Sequence, residues 1–196
     1  MVEKQAERMM AHADAHFLVP YRNVALGLKA MALIERSQLE EGTSLLRLSI
    51  ARLEADRYRL YTFGFRATLA YGLAVAGDAK EAMGEIDEAI DTADNLGTRF
   101  ILPDLLRIKG EICARRNDAQ QAQSLFERAF AMAGEQAAVS WQLRIAMSML
   151  RLATGSRRSA TVRKLLSETY GRFTEGFATA DLQSARQLLG STARSA

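Results

Sequence analysis

His12 and His16 stand four residues apart with Asp14 between them. On a helix such a pair faces one side, as a two-histidine metal grip requires, but Asp14 points elsewhere and the chain holds only these two histidines. No glutamate follows His12 in the H-E-x-x-H order. Surface or interface histidines are the plainer meaning, and no metal site is assigned. A second set is Arg107, Glu111 and Arg115 at i, i+4, i+8, with Arg144 and Arg151 at comparable positions one helix pair on. Arginines arrayed along a groove can clamp a carboxylate, a peptide C-terminus or a phosphate through charge-assisted hydrogen bonds. The plainer alternative is ion pairing on a wet helix face, worth a few tenths of a kcal/mol. Cys113 is the single cysteine, on a core-facing helix position and about a hundred residues from either histidine, so it reads as a small hydrophobe rather than a nucleophile. No convergent nucleophile, base or metal set emerges, so no catalytic residue and no cofactor are assigned.

The elements that would position these residues show in an internal period of 40 residues. Gly42, Ala82, Ala122 and Val162 recur at that spacing; Leu46, Ile86, Phe126 and Leu166 follow four residues later, and Ser49, Ala89, Ala129 and Thr169 three further on. Small, large, small at i, i+4, i+7 lies on one helix face and lets a neighbouring helix approach closely. The same register places Ala30, Ala70, Gly110 and Leu150, then Leu33, Leu73, Cys113 and Ala153, on the preceding helix. Between the two fall RSQ, AGD, RND and GSRRS, turns of helix-hairpin length.

The pattern predicts first helices near 18–36, 59–76, 99–116 and 138–153 and second helices near 39–54, 79–94, 119–133 and 159–173. Residues 1–16 form a half-repeat and 179–189 a closing helix, with Thr179 as cap, Asp181 in the first turn and Leu182, Ala185, Leu188 and Leu189 as its apolar stripe. Trp141, Phe173 and Phe177 are expected to seal the last repeat against it. Residues 58–65 (YRLYTFGF) are poor helix formers that only tertiary packing would make helical. The expected fold is an all-α, right-handed superhelical stack of antiparallel helix pairs, one repeat domain spanning 1–196 with repeats at 18–54, 59–94, 99–133 and 138–173.

Composition narrows the function classes. The chain is 48% hydrophobic and 25% charged, with two prolines, which fits a folded globular chain. No apolar run is long enough to span a bilayer, and the N-terminal stretch is charged where a signal peptide is apolar, so a cytoplasmic location is expected. The net charge of +3 is uneven: residues 140–196 hold nine Lys/Arg against three Asp/Glu, leaving −3 in the remainder. The arginines there are spread at helical spacing without interleaved aromatics, so nucleic acid is not the expected partner.

The segment 105–133 (LLRIKGEICARRNDAQQAQSLFERAFAMA) resembles the tetratricopeptide consensus at Gly110, Ala122, Phe126 and Ala129. It departs in Cys113, where an aromatic is usual, and in its longer period. Residues 140–153 (SWQLRIAMSMLRLA) and 165–189 (LLSETYGRFTEGFATADLQSARQLL), with LRIKGE at 106–111 and EEG at 40–42, look like the C-terminal helical repeats of bacterial multidomain signalling proteins. In those proteins a class III adenylate cyclase or winged-helix domain is joined to an ATPase domain and then to such repeats. The resemblance implies a non-catalytic protein-interaction scaffold, the regulatory or sensor repeat region of such a regulator, with the groove lined by Arg107, Glu111, Arg115, Arg144 and Arg151. It brings no activity with it, since no G-x-x-x-x-G-K-[ST] phosphate loop lies here. The implied partner is a protein, a peptide or attached signalling domains. The alternative is a homo-oligomerisation module in which the open N-terminal edge pairs with a second copy.

Overall fold

The 40-residue register decides which side chains leave water. In the computed structural model of the chain, which describes residues 2–190, Leu46, Ile86, Phe126 and Leu166 are all 1% exposed or less. Their small neighbours Gly42, Ala82, Ala89, Ala122 and Ala129 are buried beside them. Burying each large side chain contributes about 2–3 kcal/mol. Where the small position is polar, its hydroxyl is used: Ser49 Oγ donates to the Asn23 carbonyl at 2.7 Å and Thr169 Oγ1 to the Leu165 carbonyl at 2.8 Å.

Ten α-helices result, with no strand among the described residues: α1 (Val2–Ala15), α2 (Val19–Glu35), α3 (Leu39–Ala55), α4 (Thr62–Ala76), α5 (Ala79–Asn95), α6 (Leu102–Arg115), α7 (Ala119–Glu135), α8 (Val139–Ala153), α9 (Ser159–Tyr170) and α10 (Ala180–Gly190). The far ends of the 1–196 span, residue 1 and residues 191–196, lie outside the described residues. The chain divides into two compact units between Arg99 and Phe100. In the first, α1 to α5 pack in sequence and α2 also touches α4; in the second, α6 to α10 pack in sequence, and α8 also touches α6 and α10. No described helix is long and apolar enough to cross a membrane.

The turns follow a shorter rhythm than the helix pairs. Residues 17, 37, 57, 77, 97, 117 and 137 all have positive φ, between 53° and 99°. At each, the left-handed residue's amide donates to the carbonyl three back, and the next amide reaches five back: Ser37 to Ile34 and Gln38 to Leu33 at 2.9 Å, Asn117 to Ala114 at 3.1 Å and Asp118 to Cys113 at 3.0 Å. This is the Schellman closure, which satisfies orphan carbonyls at the helix end. Asp78 and Asp118 then cap the next helix, accepting from the amides of Glu81 and Gln121. The structural step is thus 20 residues, one helix and one turn, repeated alike within pairs and between them.

Three helix ends depart from the periodic reading. Helix α4 begins at Thr62 rather than 59, with Thr62 Oγ1 donating to the Arg59 carbonyl at 2.9 Å. Helix α6 is preceded by a 3-10 turn at Arg99–Ile101, and Pro103 stands in its first turn, where its missing amide forfeits no helical hydrogen bond. Helix α9 ends at Tyr170, with the weak helix former Gly171 following. After α8 the rhythm breaks: the left-handed residue is Gly155, two positions early. Ala153 is therefore only half-buried at the helix end, and a cavity of about 210 Å³ opens among Phe126, Met149, Leu152, Ala153 and Val162.

Candidate functional site

The arginine set falls on α6 and α8 of the second unit, where the structure separates it into two kinds. Arg107 lies between two carboxylates of its own helix, with Nε donating to Asp104 at 2.6 Å and Nη1 to Glu111 at 2.7 Å, all three largely shielded from solvent. Burial disfavours its charge, but Asp104 and Glu111 outweigh that and hold its pKa above the usual arginine value. Glu111 Oε1 also accepts from Ser148 Oγ of α8 at 2.6 Å, which ties the two helices together. Arg144 of α8 donates to Asp181 of α10 at 2.7 Å and lies over the Trp141 ring, 5.1 Å from its centroid. Arg107, Glu111 and Arg144 therefore join α6, α8 and α10.

Arg115 and Arg151 behave differently. Each stands on its helix's last turn, four residues after Glu111 and three after Ser148, and both are exposed. Since Glu111 and Ser148 meet across the two helices, these cations crown the same end of one face. Asp104, Ser148 and Asp181 were missed as partners of the set. Asp104 sits only three residues before Arg107 and was findable as an i, i+3 pair, whereas the other two meet it through tertiary packing.

The first unit holds a similar buried cation that sequence reasoning did not single out. Arg66 of α4 bridges Glu54 at 2.7 Å and Glu85 at 2.5 Å, from α3 and α5. Its pKa is also raised, because the two carboxylates outweigh the burial that disfavours the charge. These salt-linked arginines act as internal struts.

The remaining candidates take ordinary places. The His12 and His16 rings lie 4.4 Å apart on the exposed end of the first helix. Cys113 is 1% exposed, its Sγ 3.5 Å from Gln121 Oε1. Phe173 packs on the core of α8, α9 and α10, Trp141 is half-buried, and Phe177 is 45% exposed beside Tyr170. At the N-terminal edge, α1 shows Lys4, Gln5, Arg8 and His12 to solvent, while Met9 and Met10 are half-buried.

The elements define an all-α helical stack with a repeating helix-turn step. No protein-family model matches the chain, and no curated protein matches it. Among solved structures it is similar to BtubC (BKLC) from P. vanneervenii, with a TM-score of 0.73 at 14% identity, covering 97% of this chain and 81% of that one. The likeness is one of fold.

Proposed function

We propose that the chain is a non-catalytic protein-interaction scaffold of tetratricopeptide-like helix pairs that holds an acidic segment of a partner against α6 and α8. The observation that carries this reading is the division among four arginines of one face: Arg107 and Arg144 are bound by carboxylates of the chain itself, while Arg115 and Arg151 stand exposed. Two cations on the last turns of adjacent helices suit carboxylates through charge-assisted bonds. The resemblance of 140–153 and 165–189 to the repeats of bacterial regulators supports placing the scaffold in the cytoplasmic regulatory or sensor region of a signalling ATPase or adenylate cyclase. The test is fluorescence anisotropy with a labelled glutamate-rich peptide in low and high salt. Binding that weakens with salt and falls about tenfold in Arg115→Glu/Arg151→Glu is expected. Equal binding by that variant sinks the reading.

A further inference from the structure

The first unit has an exposed surface that the arginine face does not use. Thirteen large apolar side chains among the described residues are well exposed, and six of them, Phe17, Leu18, Val19, Tyr21, Leu60 and Tyr61, belong to two stretches where one helix pair passes to the next. The turns inside the pairs of this unit are polar instead: Arg36, Ser37 and Gln38, then Gly77 and Asp78. Backbone closure does not explain the difference, because both kinds of turn use the same hydrogen bonds.

The two stretches meet through their tyrosines, in a row that ends on the buried Phe65. Tyr21 of α2 lies 6.2 Å from Tyr58, Tyr58 lies 6.3 Å from Tyr61, and Tyr61 lies 6.2 Å from Phe65, measured between ring centroids. Phe17 carries two penalties at once, a left-handed φ of 56° and 90% exposure. A left-handed backbone costs a bulky L-residue about 1–2 kcal/mol, and the exposed ring returns none of it within the chain. Contiguous apolar surface of this kind marks interaction sites, and tyrosine is enriched where partners anchor.

The charges nearby indicate what would bind. Asp14 is paired with Arg22 at 2.7 Å, and Asp56 accepts from the neutral Asn23 Nδ2 at 3.1 Å and keeps its charge. Arg57 and Arg59 are exposed and form no ion pair within the described residues, so two free cations face one unneutralised carboxylate. The surface is therefore apolar with a cationic margin. Nucleic acid fits it less well, since the aliphatic Leu18, Val19 and Leu60 offer no stacking face and the rings of Tyr21, Tyr58 and Tyr61 already lie against one another.

We propose that this edge is a second docking surface, for an acidic protein segment with an apolar anchor. The anchor lies among Phe17, Tyr21 and Tyr61, and the carboxylates meet Arg57 and Arg59. The test uses short fluorescein-labelled peptides: one of glutamate with tryptophan and leucine, its lysine counterpart, and one of glutamate and serine. A labelled oligothymidylate is the fourth probe. The first is expected to bind the full chain, with the others weaker by about tenfold or more. Tyr21→Ser/Tyr61→Ser and Arg57→Ser/Arg59→Ser should each weaken it by a similar factor, whereas Arg115→Glu/Arg151→Glu should not, which separates this surface from the α6–α8 face. All four variant positions of this surface are solvent-exposed or nearly so. Should a variant nevertheless unfold, photo-cross-linking of the first probe to the unaltered chain must map to 17–21 and 57–61. The proposal is overturned by no binding of the first probe, by equal binding of its lysine counterpart, by preference for the oligothymidylate, or by cross-links elsewhere. A dimer dissolved by Phe17→Ser would also overturn it, assigning the surface to a second copy.

Discussion

The ring of Phe65 fills the space in which a side chain at Gly27 would begin. Both residues are buried, and their meeting sets the approach of α2 to α4 in the first unit. The second unit uses the same device differently, with Gly110 of α6 receiving the ring of Phe126 from α7.

Gly27→Ala should therefore destabilise the chain despite its gain in helix propensity. The propensity gain is up to about 1 kcal/mol, while forcing a methyl against a buried ring costs about 1–3 kcal/mol, and the clash wins. Gly84→Ala, on the exposed side of α5 with nothing within 4 Å of the new Cβ, should stabilise by up to about 1 kcal/mol. Urea unfolding of the two variants gives shifts of opposite sign if the contact is as described.

The left-handed turns make a second prediction. Ala137 has φ 53° and Gly77 has φ 99° at equivalent points of the rhythm. Ala137→Gly should raise stability by about 1 kcal/mol and Gly77→Ala should lower it by about 1–2 kcal/mol. Thermal unfolding should move Tm up in the first and down in the second.

The sequence made the helices and the turns inside each pair legible and concealed the like turns between pairs. The small-large-small register placed Leu46, Ile86, Phe126 and Leu166 correctly in the core, because helical burial writes itself into residue size at fixed spacing. The 20-residue rhythm was hidden, since Phe17, Ser37, Arg57 and Ala137 occupy positions where glycine or asparagine, as at Gly77 and Asn117, would have signalled a left-handed backbone. At the site, the pairing of Arg107 with Glu111 was readable as i, i+4. Asp181, read as a first-turn residue of the closing helix, also pairs with Arg144, a contact between distant helices that no local pattern carries. Of residues 58–65, read as poor helix formers, 62–65 are nevertheless helical within α4, where Phe63 and Phe65 are buried, and 58–61 lie outside it.

Arg107→Met should remove the charge between Asp104 and Glu111 and leave two shielded carboxylates facing each other. Breaking a mostly buried ion pair from one side costs about 3 kcal/mol, and chemical denaturation should show a loss near that size. Ser148→Ala, which removes the hydroxyl that reaches both Glu111 and the Arg144 carbonyl, should cost about 1 kcal/mol.

Tyr58 makes a prediction about alkaline pH. Its pKa is raised above the ordinary tyrosine value, first by desolvation and then by the neighbouring Tyr21 and Tyr61 phenols. A raised folded-state pKa contributes stability that is fully present below the unfolded value of 10.0 and is lost as pH rises through the folded value. Ultraviolet titration of phenolate formation should show one late-ionising tyrosine that disappears in Tyr58→Phe and ionises earlier in Tyr21→Phe. The alkaline fall in stability should be smaller in Tyr58→Phe.

Because the turns at residues 37 and 77 of the first unit are closed by the same pair of hydrogen bonds, the chain can be cut and rejoined at these two without leaving a misfit end. Parity then decides the outcome. Excising forty residues removes a first and a second helix together, and the helix that follows is again of the kind its new neighbour packed against. Excising twenty sets two helices of the same kind side by side, so that faces shaped for the core meet water. Such a chain grows or shrinks in pairs although it is built in singles.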